Sequence, residues 1–167
     1  MNIEYIHASK FGNGATVAEE FRTQMSTWGV EVAVHHESEA CATELATADL
    51  YLFSSPGRMG KPIRSMRRFL KAVRLPFGAP YAILTTEMMP RPDKKTGRVP
   101  TEEEIARFQR VRPMMHEILQ TKDLLQIAED TVYVTGLRGP LEEGWRDKVG
   151  AFASRIAEAM GAVPADS

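Results

Sequence analysis

The sequence predicts an α/β protein with a doubly wound, five-stranded parallel sheet and helices on both faces. Short apolar runs alternate with helical patterns along the chain, and such alternation is typical of the βαβ units that build parallel sheets. The chain has 167 residues, which is enough for one domain with a substantial core. Polar loops follow three of the strand-like runs, and ligands of doubly wound sheets bind at loops of this kind.

The individual elements follow from the spacing of apolar residues. Strands are predicted over residues 3–8, 30–34, 49–53, 81–85 and 130–134. Helices are predicted over 14–28, 62–73, 101–121 and 142–160, and residues 38–46 also look helical. Pro62 is placed in the first turn of its helix, where proline is tolerated.

Connections and chain ends complete this outline. A long polar loop over 87–100 links the fourth strand to the third of the listed helices. No repeat or low-complexity linker divides the chain, so we expect one domain over 1–163 and a short tail over 164–167.

Strand order places three loops together. With the order 2-1-3-4-5, the loops over 9–14, 54–60 and 85–89 lie side by side at the carboxyl edge of the sheet. The first loop combines a hydroxyl, an amide and glycines just before a helix, which gathers backbone N–H groups at the positive end of the helix dipole. This loop indicates an anion site suited to phosphate, although ordinary connecting turns have similar sequences.

The same segments resemble those of flavodoxin-like proteins. The resemblance rests on Ala8-Ser9-Lys10-Phe11-Gly12-Asn13 after a strand, on the run from Asp49 to Pro56 (DLYLFSSP), on Gly60-Lys61-Pro62 with Arg68-Phe69-Leu70, and on the strand from Ala82 to Thr86. It spans most of the chain, although beyond Glu87 it rests mainly on element order. It implies noncovalently bound FMN and one- or two-electron redox chemistry.

The resemblance also implies which residues hold the cofactor. Those around the FMN phosphate would be Ser9, Lys10, Phe11, Gly12, Asn13 and Gly14. Those on the two sides of the isoalloxazine ring would be Ser54, Ser55, Pro56, Gly57, Arg58, Met59 and Gly60, and Thr85, Thr86, Glu87 and Met88.

Two features depart from the family pattern. Gly14 stands where the family's phosphate loop commonly has threonine, so one donor is either missing or supplied by Thr16. The second and third loops contain no aromatic residue to stack on the flavin, and the net charge is only -1, whereas electron-carrying flavodoxins tend to be strongly acidic. These departures weaken the interpretation as a simple electron shuttle.

Cations and methionines near the proposed ring loops have two readings each. Arg58, Lys61 and Arg91 would stabilise anionic reduced FMN by Coulomb attraction, or they point into solvent. Likewise, methionines would cover the ring as an adaptable surface or fill gaps in the core; these are Met59, Met88 and Met89.

Two basic segments suggest partners. The helix over 62–73 and the residue after it carry a stripe that would dock an acidic redox protein or remain solvated; its members are Arg64, Arg67, Arg68, Lys71 and Arg74. In the long loop, the cations Arg91, Lys94, Lys95 and Arg98 could contact the phosphate of NAD(P)H.

Other function classes lack sequence support. The net charge of -1 and the absence of a recognised motif argue against nucleic acid as a partner, and no apolar run approaches the length of a membrane span. Cys41 is the single cysteine, so neither a disulfide within the chain nor a cysteine-based metal cluster can form. No metal-binding spacing, catalytic residue or secretory signal pattern is evident, and we expect a cytoplasmic protein.

The sequence therefore leaves two functions from different classes. The first is an FMN protein that transfers electrons between partners or reduces a small acceptor, and the partner would be a redox protein or NAD(P)H. The second is a binding or interaction module of the same fold that has lost FMN, because a fold alone does not define a function.

Overall fold

The computed structural model describes residues 1–166, so Ser167 of the expected tail lies outside the described residues. In chain order the elements are β1 (Asn2–His7), α1 (Asn13–Ser26), β2 (Glu31–His36), a short 3-10 helix (Glu37–Glu39), β3 (Leu50–Ser54), β4 (Gly57–Arg58), β5 (Lys61–Pro62), α2 (Arg64–Ala72), β6 (Pro80–Met88), α3 (Glu102–Phe108), α4 (Val111–Gln120), β7 (Leu125–Val134) and α5 (Trp145–Met160).

The five long strands form one parallel sheet in the order β2-β1-β3-β6-β7. This is the predicted order, 2-1-3-4-5 in terms of the five predicted strands, so the fold class is confirmed. A separate two-stranded antiparallel hairpin is formed by β4 and β5. None of the helices in residues 1–166 is long and apolar enough to cross a membrane.

Helices cover both faces of the sheet, and each face has its own core. On one face α1 and α5 pack on the sheet, with the rings of Phe21 and Phe152 in contact in its core. On the other face, the core contains Leu70 from α2 and Met115 from α4. Full burial of each large apolar side chain contributes about 1.5–3 kcal/mol, so the two cores fix the helices and orient the strand ends.

The segment between β2 and β3 differs from its predicted helical form. Only the 3-10 turn forms there, capped at its start by His36, whose side chain accepts a hydrogen bond from the Ser38 amide. Residues 38–46 contain one large apolar side chain, Leu45, which is too little to bury a helical face. Helical stability in proteins comes mainly from such burial, and the segment therefore crosses the sheet as turns.

The predicted helix over 101–121 is two helices, α3 and α4, and Pro113 accounts for the break. A proline ring inside a helix clashes with the carbonyl four residues earlier, here that of Gln109. Gln109 has φ −90° and ψ 92° as the C-cap of α3, and Pro113 falls in the first turn of α4. The prediction of a single helix is therefore wrong, because it rests on apolar spacing and takes no account of the proline ring at position 113.

Pro62 does not begin a helix either. It pairs with Gly57 in the β4–β5 hairpin, and α2 begins two residues later, at Arg64. At the other end of the chain, the Ala165 amide donates to the Thr27 carbonyl at 2.8 Å, which attaches the tail to the end of α1.

Candidate functional site

The carboxyl ends of β1, β3 and β6 meet at one edge of the sheet, and backbone hydrogen bonds tie their loops together. The Ala8 amide donates to the Ser54 carbonyl at 3.1 Å, and the Thr86 amide donates to the Ser55 carbonyl at 3.2 Å. Pro56 and Thr86 form an isolated parallel bridge. The three loops surround a cleft of about 260 Å³.

The first loop supplies backbone amides to this cleft. Gly12 is the N-cap of α1 with φ 91°, no side chain caps the helix, and no acidic residue lies in its first turn. The first N–H groups of a helix have no acceptor within the helix, so this terminus suits an anion. The first-loop residues that line the cleft are Ser9, Lys10, Phe11, Asn13 and Gly14, whereas Gly12 forms the turn behind them.

Gly14 has a steric reason to be glycine. A β-carbon at this position would lie 3.1 Å from the Ser9 Cβ, closer than side chains normally pack. Thr16 does not replace the missing donor, because its hydroxyl donates to the Gly12 carbonyl at 3.0 Å. The start of α1 therefore presents amides and Asn13, and no threonine hydroxyl, to a ligand.

Two histidines hold Ser9 in place. Its amide donates to His7 Nδ1 at 3.2 Å, and its carbonyl accepts from His36 Nε2 at 3.0 Å. The two rings meet edge to face, with their centroids 5.2 Å apart. Burial and the neighbouring His36 lower the pKa of His7, although Glu39 and Glu19 oppose part of the effect. The lowered pKa of His7 agrees with this contact, because Nδ1 has to be unprotonated to accept from the Ser9 amide.

The second loop contains the β4–β5 hairpin. Its two central residues, Met59 and Gly60, both have positive φ, 52° and 75°, as two-residue hairpin turns require. Pro56, Gly57 and Arg58 line the cleft. Met59 is 84% exposed at the hairpin tip.

The rest of the second loop supports the hairpin. Gly60 lies against the end of α3, where a β-carbon would come within 1.9 Å of the Phe108 carbonyl oxygen. Ser54 and Ser55 are buried, and the Ser55 hydroxyl accepts from the Ile63 amide at 3.1 Å. Ser54, Ser55, Met59 and Gly60 therefore do not line the cleft.

The third loop divides its residues between two faces. Thr86 and Met88 line the cleft. Thr85 and Glu87 lie on the opposite face, where the Thr85 hydroxyl donates to the Glu87 carboxylate and Arg112 Nε donates to the same oxygen at 3.1 Å. The pKa of the nearby Tyr133 is raised by burial first and then by the Glu87 charge. Glu87 thus forms a buried ion pair behind the cleft.

Ile63 and Val134 are not among the residues expected from the sequence, and both line the cleft. Leu137 also lines it; the sequence places its turn, 136–141 after the fifth strand, either at this sheet edge near the flavin or against the 87–100 loop. Val134 ends β7, and the strand-end rule that located the other loops could have found it. The turn after β7 also reaches the first loop, because a β-carbon on Gly139 would lie 3.0 Å from Asn13 Oδ1. The Arg138 guanidinium lies 5.4 Å from the centre of the Phe11 ring.

Several cations that the sequence placed near a ligand have other partners. The Arg91 guanidinium donates to the Thr135 carbonyl, and Arg98 forms two hydrogen bonds of 2.9 Å with Glu104. Met89 and Arg91 line a neighbouring groove against α3 and not the central cleft. Arg58 and Lys10 are the cations that line the cleft.

Comparison with known proteins identifies the fold of this chain. Neither a protein-family model nor a curated protein sequence matches this chain. A flavodoxin from the domain Archaea superposes with a TM-score of 0.68 at 15% identity, covering 96% of this chain and 99% of that chain. Flavodoxin 1 from Bacillus cereus gives a TM-score of 0.66 at 15% identity, with 95% and 98% covered.

A longer protein contains the same unit. Rubredoxin oxygen:oxidoreductase from Desulfovibrio gigas matches with a TM-score of 0.68 at 11% identity, covering 96% of this chain but 36% of that chain. With the strand order and the two helical layers, these similarities define the class: the chain has the flavodoxin-like fold.

Proposed function

We propose that this protein binds FMN in the cleft between the three loops and acts in redox chemistry. The observation that carries the proposal is the uncapped start of α1 at the cleft, with its N-cap Gly12 in the left-handed region and no acidic residue in the first turn. Such a terminus binds phosphate through amides and the helix dipole. The flavodoxin-like fold supports flavin as the bearer of that phosphate.

The residues in the cleft fit the two ends of FMN. Amides at the start of α1, together with Asn13 and the Ser9 side chain, would hold the phosphate. Apolar groups would hold the ring, namely Pro56, Ile63, Met88, Val134 and Leu137. Mostly apolar walls with a few placed polar groups are typical of cofactor sites.

When bound, FMN would supply one- or two-electron transfer, and the chain would position the ring and adjust its electrostatic surroundings. Arg58 of the second loop lines the cleft, and beside a bound ring it would favour negative charge on the flavin. The buried Glu87 carboxylate behind the cleft is paired with Arg112, which limits its opposing effect. We therefore infer a site that favours the reduced, anionic cofactor.

The electron donor separates two versions of this function. A reductase would be bleached directly by NADH or NADPH and reoxidised by a small acceptor, whereas an electron carrier would be reduced only through a partner protein. A module of the same fold without FMN is the second candidate, and Gly14 in place of a hydroxyl-bearing residue is the observation in its favour.

Asn13 offers the sharpest test of the phosphate assignment. Asn13→Trp should abolish FMN binding, because the side chain lines the cleft and touches the turn after β7. Arg22→Trp, on an exposed part of the same helix, is the matched control and should bind FMN as the parent does. Flavin fluorescence quenching measures both. Unchanged affinity in Asn13→Trp would place the phosphate elsewhere.

A further inference from the structure

A second pocket lies beside the proposed flavin cleft and has a strongly basic wall. Its volume is about 490 Å³, and it lies between the first loop, the β4–β5 hairpin and the start of α2. Five of its lining residues are cations, namely Lys10, Arg58, Lys61, Arg64 and Arg67, and none is acidic. The protein as a whole has a net charge of -1, so this concentration of positive charge is local.

The cations of this pocket have no carboxylate partners. Eight ion pairs of lysine or arginine with a carboxylate occur within residues 1–166, and none includes any of the five pocket cations. By contrast, the α3–α4 region pairs most of its arginines, such as Arg107 with Glu103 and Arg110 with Glu117. Like charges that converge without counter-ions favour the entry of an anion.

Arg67 adds a more specific signal. Its Nε atom is buried and has no hydrogen-bond acceptor among the described residues, although buried donors are nearly always satisfied. Arg67 also lies one turn into α2, whose first turn has no acidic residue and no side-chain cap. Arg67 lines the pocket, and phosphate oxygens suit guanidinium donors well.

We propose that this pocket binds a diphosphate-class anion, either free or as part of a nucleotide. The pocket is concave and receives cations from three separate elements, which suits a compact polyanion better than the flat surface of a protein. It shares Lys10, Arg58 and Ile63 with the flavin cleft, so a nucleotide held there would lie next to the flavin site. Anion binding itself does not depend on the proposed function, because Lys61, Arg64 and Arg67 lie outside the flavin cleft.

Calorimetric titration with pyrophosphate, ADP and NADPH tests the proposal. The FMN-loaded protein and the FMN-free protein are both titrated, at low and at moderate salt. In the FMN-loaded protein we expect one anion site, and Arg64→Gln/Arg67→Gln should weaken it by about tenfold or more through lost charge-assisted hydrogen bonds. In the FMN-free protein the same double variant should weaken binding at this site only, because the start of α1 is then also open to phosphate. Equal affinity for pyrophosphate and ADP would identify free diphosphate as sufficient, and tighter binding of ADP or NADPH would identify a nucleotide.

The matched control removes the same charge from the same basic stripe outside the pocket. Lys71→Gln/Arg74→Gln should change the affinity less than about twofold, since these residues act only through screened charge. Equal losses in the two double variants would overturn the proposal, because they would reflect the general basic surface. Binding of poly-glutamate without binding of any phosphate compound would also overturn it, as would displacement of FMN by pyrophosphate. Failure of FMN to bind leaves the test on the FMN-free protein intact, so the two proposals fail separately.

Discussion

Gly14 packs against Ser9 so closely that a β-carbon at residue 14 would lie 3.1 Å from the Ser9 Cβ. Ser9 cannot easily move aside, because His7 holds its amide and His36 holds its carbonyl. The missing side chain therefore lets α1 begin directly behind the first loop. The departure from the threonine that flavodoxin-like proteins commonly have here therefore has a packing cause, although it still leaves one hydroxyl donor fewer for a phosphate.

This contact predicts the effect of Gly14→Ala. Alanine normally stabilises a helix interior by about 1 kcal/mol relative to glycine, but here the contact with Ser9 should cancel that gain and weaken FMN binding by about tenfold. Gly150→Ala in α5 is the matched control, since its β-carbon would meet only the Gln24 side chain, at 3.4 Å. Urea unfolding and FMN titration measure both variants. A tighter FMN complex in Gly14→Ala would contradict the account.

Replacement by asparagine should have different effects at Met59, on the hairpin tip, and at Met88, in the cleft. Met59 has φ 52° and is 84% exposed, so Met59→Asn should raise the free energy of unfolding by about 1 kcal/mol, because asparagine accepts positive φ. FMN affinity should not change. Met88→Asn, by contrast, removes an apolar wall of the cleft and should weaken FMN binding severalfold. Weakened FMN binding in Met59→Asn would restore the sequence-based idea that Met59 covers the ring.

His7 predicts a pH dependence of stability. Its pKa is lowered in the folded protein by burial and by His36, so the unfolded chain takes up the proton first as the pH falls. The free energy of unfolding should therefore decrease below the unfolded pKa of about 6.5 and level off below the folded pKa. Urea unfolding between neutral and mildly acidic pH measures the slope. His7→Gln should reduce it, and an unchanged slope would show that His7 is not its source.

The Glu87–Arg112 pair predicts a large stability effect. Glu87 is 2% exposed and Arg112 is 28% exposed, so Arg112→Leu would leave a buried carboxylate without its cation. We expect a loss of about 2–3 kcal/mol in the free energy of unfolding. Arg110→Leu is the control, because its pair with Glu117 is exposed and should contribute less than about 1 kcal/mol. Equal losses in the two variants would contradict a special role for the buried pair.

Much of this fold could be predicted from the sequence because its signals are local. Alternating apolar runs identified the five strands, and the order 2-1-3-4-5 expected for them is the observed one. The prediction of one helix over 101–121 was wrong, because the ring of Pro113 interrupts the helix even though the apolar spacing predicts that it continues. The prediction of a helix over residues 38–46 was wrong, because this segment has too little apolar surface for a helix to bury.

The site was harder to predict because strand ends give a position but not the direction of a side chain. Thr86 and Met88 line the cleft, whereas Thr85 and Glu87, from the same strand, face the other way. Successive side chains of a strand point to opposite faces of the sheet. Which of the two faces borders the cleft is clear only in three dimensions. Likewise, Val134 reaches the cleft because β7 lies beside β6.

Titration of the purified, flavin-free protein with FMN, followed by flavin fluorescence and visible absorbance, is the decisive test of FMN binding in the cleft. We expect saturable binding of one FMN per chain, with quenched fluorescence and a shifted visible spectrum. Asn13→Trp should abolish that binding, and Arg22→Trp should preserve it. A correctly folded protein that shows no saturable FMN binding would contradict the account and favour a module that has lost its cofactor.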